Sequence, residues 1–94
     1  MNDPIILWDL DDDPNGNVQH IAEHGFSKED VEDVLLDDTN EAAISRSSRE
    51  VLTFGYTRNG AHIAVVWRQE SEEDEFPVMI YPITAYAVEP KYRR

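Results

Sequence analysis

The segment Val51-Leu52-Thr53-Phe54-Gly55-Tyr56-Thr57-Arg58-Asn59-Gly60-Ala61-His62-Ile63-Ala64-Val65-Val66-Trp67-Arg68 decides the fold. Two runs rich in β-branched and aromatic residues, Val51 to Arg58 and Ala61 to Arg68, flank Asn59-Gly60, the strongest short hairpin signal. A two-residue turn fixes the register. It sets Arg58 opposite Ala61, Tyr56 opposite Ile63, Phe54 opposite Val65 and Leu52 opposite Trp67. Those pairs share an almost wholly apolar face, so this is the face expected beneath the helices. The other face then carries Thr53, Gly55, Thr57, His62, Ala64, Val66 and Arg68, and is expected to stay open.

Upstream, Ile5-Ile6-Leu7-Trp8 reads as an opening strand, and Asp9 to Gly16 as an acidic loop containing Pro14-Asn15-Gly16. Asn17 is placed to cap a short helix whose Val18, Ile21 and Ala22 recur at helical spacing. Gly25 suits its left-handed end. Ser27 and Asp30 are spaced as a capping box, and Phe26 and Val31 as a hydrophobic staple. Val31, Val34 and Leu35 form the buried stripe of this second helix. Asp37-Asp38 opposes the helix dipole, so the helix should end near Leu36.

Ala43 to Arg46 reads as a short strand and Gln69 to Glu75 as an acidic loop. Phe76 to Val88 is a further apolar stretch interrupted by Pro77 and Pro82. That predicts a strand at an edge or carrying a bulge, because proline has no N–H for a ladder. The tail from Glu89 to Arg94 is basic. The expected fold is a single α+β domain over residues 1–94: two short N-terminal helices packed on one face of an antiparallel sheet of about four strands.

The 94 residues are 40% hydrophobic, which suits one core, and they contain no cysteine. No disulfide or thiolate chemistry is available, which fits a reducing, cytoplasmic setting. No run approaches the ~20 apolar residues of a membrane span, and the first ten residues do not read as a signal peptide. The net charge is −12, but it is unevenly spread. Residues 1–41 hold 13 acids and one base, whereas residues 42–94 hold 7 acids and 7 bases. Between 42 and 68 the bases are Arg46, Arg49, Arg58 and Arg68, against Glu50 alone. The helical half is acidic, and the sheet half is expected to carry a local cationic patch.

Three constellations are candidates for chemistry. Asp9, Asp11, Asp12 and Asp13 resemble the start of a calcium loop, but no register supplies both the sixth-position glycine and the twelfth-position glutamate. His20 and His24 share a helix face at metal-ligand spacing, yet Ile21 follows His20 where HExxH requires Glu. A metal-dependent enzyme using these groups is the weakest reading. The third constellation is spatial. His62 and Arg68 project from the expected open face, Arg46 and Arg49 precede the hairpin, and Thr84 and Tyr86 share one parity of the last strand. Converging, they suit ribose-phosphate cleavage: arginines hold the phosphate and a base takes the 2′-hydroxyl proton. No nucleotide-binding or hydrolase motif is present.

The order of the short motifs resembles the BrnT-type toxins of the RelE-like ribonuclease superfamily. Trp8-Asp9 opens the chain and His24-Gly25 breaks the helices. Arg49 leads into Val51-Leu52-Thr53-Phe54-Gly55, and Val65-Val66-Trp67 and Ile83-Thr84-Ala85 follow. Arg49 matches the arginine ahead of the family's strand, and Gly55 the glycine within it. Glu89 and Tyr92 match a late Glu and Tyr. Tyr86 stands where the family has an arginine, Glu23 replaces the lysine before His-Gly, and the family is generally basic.

The resemblance implies a toxin-like ribonuclease of a toxin–antitoxin system, held in check by a partner antitoxin. RNA would be its substrate and no cofactor would be needed. The expected catalytic residues are His62, Arg49, Arg68 and Tyr86. Arg46, Arg58 and Thr84 are expected to bind RNA. The alternative is a non-catalytic protein-binding module on the same scaffold, its acidic helices steering a basic partner into place.

Overall fold

A computed structural model describes residues 3–37, 39–44, 50–72 and 74–89. Arg46 and Arg49 lie outside them, as does the tail from Pro90 onward. Strand β1 (Ile5–Ile6) is followed by helices α1 (Asn17–Glu23) and α2 (Lys28–Leu35). Strands β2 (Glu41–Ile44), β3 (Val51–Tyr56), β4 (His62–Gln69) and β5 (Met79–Ala87) complete the order. The architecture is α+β, as expected. The sheet order is β1-β5-β4-β3-β2. Strands β2 to β5 form an antiparallel meander, and the two-residue β1 joins β5 in parallel. The sheet is therefore mixed, which corrects the antiparallel expectation. A parallel neighbour demands a crossover connection, and the segment carrying α1 and α2 leads the chain away from β1.

The local signals in the helices behave as written. Ser27 Oγ accepts from the Asp30 amide (3.2 Å), and Asp30 Oδ2 accepts from the Ser27 amide (3.0 Å). Helix α2 stops with Leu36 as its cap, and Gly25 takes a φ of +90°. Asn17 differs from expectation. Gly16 occupies the cap position of α1, and Asn17 begins the helix with its side chain turned inward.

The hairpin register is one residue away from the expected one. Thr57 N–H donates to the Ala61 carbonyl (2.9 Å) and Gly60 N–H to the Thr57 carbonyl (2.9 Å). Arg58-Asn59-Gly60 is thus a three-residue loop, with Gly60 at φ +91°. Thr53 pairs with Val65, Phe54 with Ala64, Gly55 with Ile63 and Tyr56 with His62. A one-residue slip exchanges the faces of β3 relative to β4. The helices cover Ile63 and Val65, which join Ile21, Val31, Val34 and Ala85 in the buried core; Trp8, Phe26, Leu35 and Trp67 pack around it.

Opposite those residues β3 offers small side chains, and this explains the choice of register. Asn40 lies directly against Gly55, where even a Cβ would collide with its amide, and it donates to the Val34 carbonyl (2.9 Å). The connection leaving α2 therefore sits on the backbone of β3. Phe54 or Tyr56 at the Gly55 position would hold it off. Thr53 is buried and accepts the Trp67 indole N–H (2.8 Å). Pro82 sits beside a bulge in the β4–β5 ladder, between the pairs Val66–Thr84 and Trp67–Pro82. This realises the bulge expected of a proline-bearing strand.

Candidate functional site

The sheet face away from the helices carries Leu52, Phe54 and Tyr56 from β3 and His62, Ala64 and Val66 from β4. Thr84 and Tyr86 from β5 complete it. Tyr56 is 50% exposed and Tyr86 39%, whereas Ala64 between their rows is fully covered. The His62 imidazole stacks on Tyr56 with centroids 4.6 Å apart and 26° between planes. Its Nδ1 is buried with no partner among the described residues. Tyr86 pairs with Ala64, and the Val88 amide bonds to the His62 carbonyl. Tyr86 is thus a diagonal neighbour of His62.

The structure brings together only part of the expected site. His62, Thr84 and Tyr86 share the uncovered face. Arg68 shares their parity but lies six residues along β4 from His62, about 20 Å at strand rise. Its Nε is bonded to Glu70, and its guanidinium lies 4.7 Å from the centre of the Tyr81 ring. Arg58 is in the hairpin loop, where its Nη2 pairs with Asp33 Oδ1 (3.2 Å) and its amide donates to Asp33 Oδ2 (3.1 Å). It therefore faces α2. Arg46 and Arg49 fall outside the described residues. Tyr56, expected in the core, is instead the stacking partner of His62. The missed signal was the loop length, since Asn-Gly also fits a three-residue turn.

Comparison with known protein families, curated proteins and solved structures finds no match to this chain.

Trp8 and Asp9, the pair that opens the family resemblance, hold the framework together. Trp8 packs against the core and donates to Glu32 (3.0 Å). Asp9 and Asn17 are tied reciprocally: the Asp9 amide donates to Asn17 Oδ1 (2.9 Å) and the Asn17 amide to Asp9 Oδ2 (2.9 Å). Asn17 Nδ2 donates to the Leu7 carbonyl (3.1 Å) and the Pro82 carbonyl (2.9 Å), bridging the place where the β1–β5 ladder ends. Tyr81 adds its hydroxyl to Asp9 Oδ2 (2.6 Å). That donation, with the amide of Asn17, holds the Asp9 carboxyl below its usual range. The same bond, then burial, pushes the Tyr81 hydroxyl up to about 12.

The acidic loop does not gather its carboxylates. Asp9 is held by Asn17 and Tyr81, Asp11 pairs with Lys28 (3.1 Å), and Asp13 accepts the Asn15 amide (2.9 Å). Among the described residues no three His, Asp or Glu side chains converge as a metal site. A groove of about 330 Å³ between α2 and the hairpin is lined by Glu29, Glu32, Asp33, Leu36, Asp37 and Arg58. Arg58 is its one cation.

Proposed function

We propose that this chain is a protein-binding module on a toxin-type scaffold, taking a basic partner rather than cutting RNA. One observation carries the reading. The three described cations, Lys28, Arg58 and Arg68, each face a carboxylate, from Asp11, Asp33 and Glu70 respectively. RNA affinity rests chiefly on cations that neutralise phosphates, and a cation already paired has less to offer. A partner bearing lysine and arginine instead finds the acidic helices and the groove beside α2, where opposite charge speeds encounter. The order of elements, with two helices between the first strand and the meander, supports the toxin-type scaffold.

A second reading, the ribonuclease, is favoured by the neighbouring His62 and Tyr86 on the uncovered face. His62 Nε2 would act as base, and Arg49 would hold the phosphate. Co-expression with the products of adjacent reading frames separates the two readings. The binding reading expects a complex with a basic protein that weakens steeply as salt rises. Growth arrest on expression, with RNA cleavage lost in Arg49→Ala, would overturn it in favour of the ribonuclease.

A further inference from the structure

We propose that His20 and His24 form a two-imidazole site for a borderline divalent transition-metal ion of the zinc class. The pair stands apart from the faces discussed above, on the exposed side of α1 and its cap. The ring centroids are 5.2 Å apart with 66° between planes. Zinc binds imidazole nitrogen at about 2.0–2.1 Å, and a ring centre lies about 1.1 Å beyond the nitrogen. Two imidazoles on one tetrahedral ion therefore have centres about 5.2 Å apart. The rings already stand at that separation, and capture requires each exposed ring to turn one nitrogen towards the ion.

A neighbour supports the assignment. Glu23 Oε1 lies 4.0 Å from His20 Nδ1, beyond hydrogen-bond distance, so a rotation of the exposed Glu23 side chain is needed to bring its carboxylate behind the ring. A carboxylate behind a ligating imidazole fixes the proton on the rear nitrogen, raises the basicity of the ring and presents Nε2 to the ion. His20 and Glu23 also line a groove of about 450 Å³ with Asn15 and Tyr81. With two protein ligands the coordination shell stays open, so water or an incoming donor fills the remaining positions through that groove. Imidazole donors select zinc, copper or nickel over magnesium and calcium. The aspartates of the 9–13 loop are not part of this site, because Asp9, Asp11 and Asp13 already hold other partners.

The test is a Zn²⁺ titration of the purified chain, followed by calorimetry and by NMR of the imidazole nitrogens. One ion should bind, moving the His20 and His24 rings and leaving His62 in place, and excess Mg²⁺ should not compete. His20→Ala and His24→Ala should each abolish binding, with far-UV circular dichroism unchanged. Glu23→Gln should weaken it ten- to a hundred-fold. Absence of binding at millimolar zinc would overturn the proposal. So would binding that survives His24→Ala, or shifts confined to Asp11–Asp13.

Discussion

Asn17 is the residue on which the N-terminal half is hung. It is 3% exposed, and each of its side-chain polar atoms and its own amide is engaged. Asn17→Ala leaves the carbonyls of Leu7 and Pro82 and the amide of Asp9 without partners in a water-poor place. The expected loss is about 2–4 kcal/mol in urea unfolding, well above an exposed polar truncation. Asn17→Asp should do no better, since a carboxylate cannot donate to two carbonyls.

The Asp9–Tyr81 bond sets a pH dependence with two ends. Asp9 titrates lower in the fold than its ordinary 3.8, so its contribution is present above that value and fades as pH falls through the folded pKa. Tyr81 titrates higher than its ordinary 10.0, so its contribution is full below 10 and is lost as pH rises through about 12. Tyr81→Phe should flatten the alkaline end and lessen the acid-side loss; denaturation midpoints from pH 2 to 12 read both. Asn17 was legible in the sequence only as a cap. A cap and a buried bridge look alike until the partner strands are placed.

At the scale of elements, helix α2 was the most legible part, because its capping box and its apolar stripe are local. Ser27→Ala should cost about 1 kcal/mol, measured by thermal or urea unfolding. The hairpin was half legible: the strands and the turn were readable, but the register was not. Both registers put apolar residues on both faces, because Phe54 and Tyr56 are as hydrophobic as the core they were assigned to. The deciding contact is Asn40 on Gly55, which is long-range and made through a residue with no side chain. Gly55→Ala should cost about 1–3 kcal/mol by displacing Asn40, and Gly55→Ala should cost less in an Asn40→Gly background. Cross-strand Hα contacts in NMR should link Phe54 with Ala64; a Phe54–Val65 link would restore the other register.

For the whole molecule, charge distribution and face assignment together support the proposed reading. The sequence showed an acidic helical half and a cluster of bases near the hairpin, and the parity of His62 and Arg68 was readable. The six-residue separation of His62 and Arg68 along one strand was readable too, as was Glu70 two residues from Arg68; the pairing of Arg58 with Asp33 across the fold was not. Of the four arginines of the expected patch, Arg58 and Arg68 each pair with a carboxylate at the surface, and Arg46 and Arg49 lie outside the described residues. The uncovered face carries Tyr56, His62 and Tyr86 at one end, with Arg68 six residues along β4 at the other. Among the described residues no helix is long and apolar enough to cross a membrane.

The central claim of the proposal is that the acidic helices and the groove beside α2 take a basic protein and that the chain does not bind RNA. Fluorescence anisotropy of a labelled single-stranded RNA, titrated with the full chain at low salt, tests it most directly. The account predicts no saturable binding and intact RNA at the end of the titration. Saturable binding that weakens with salt and is lost in Arg49→Ala would contradict it.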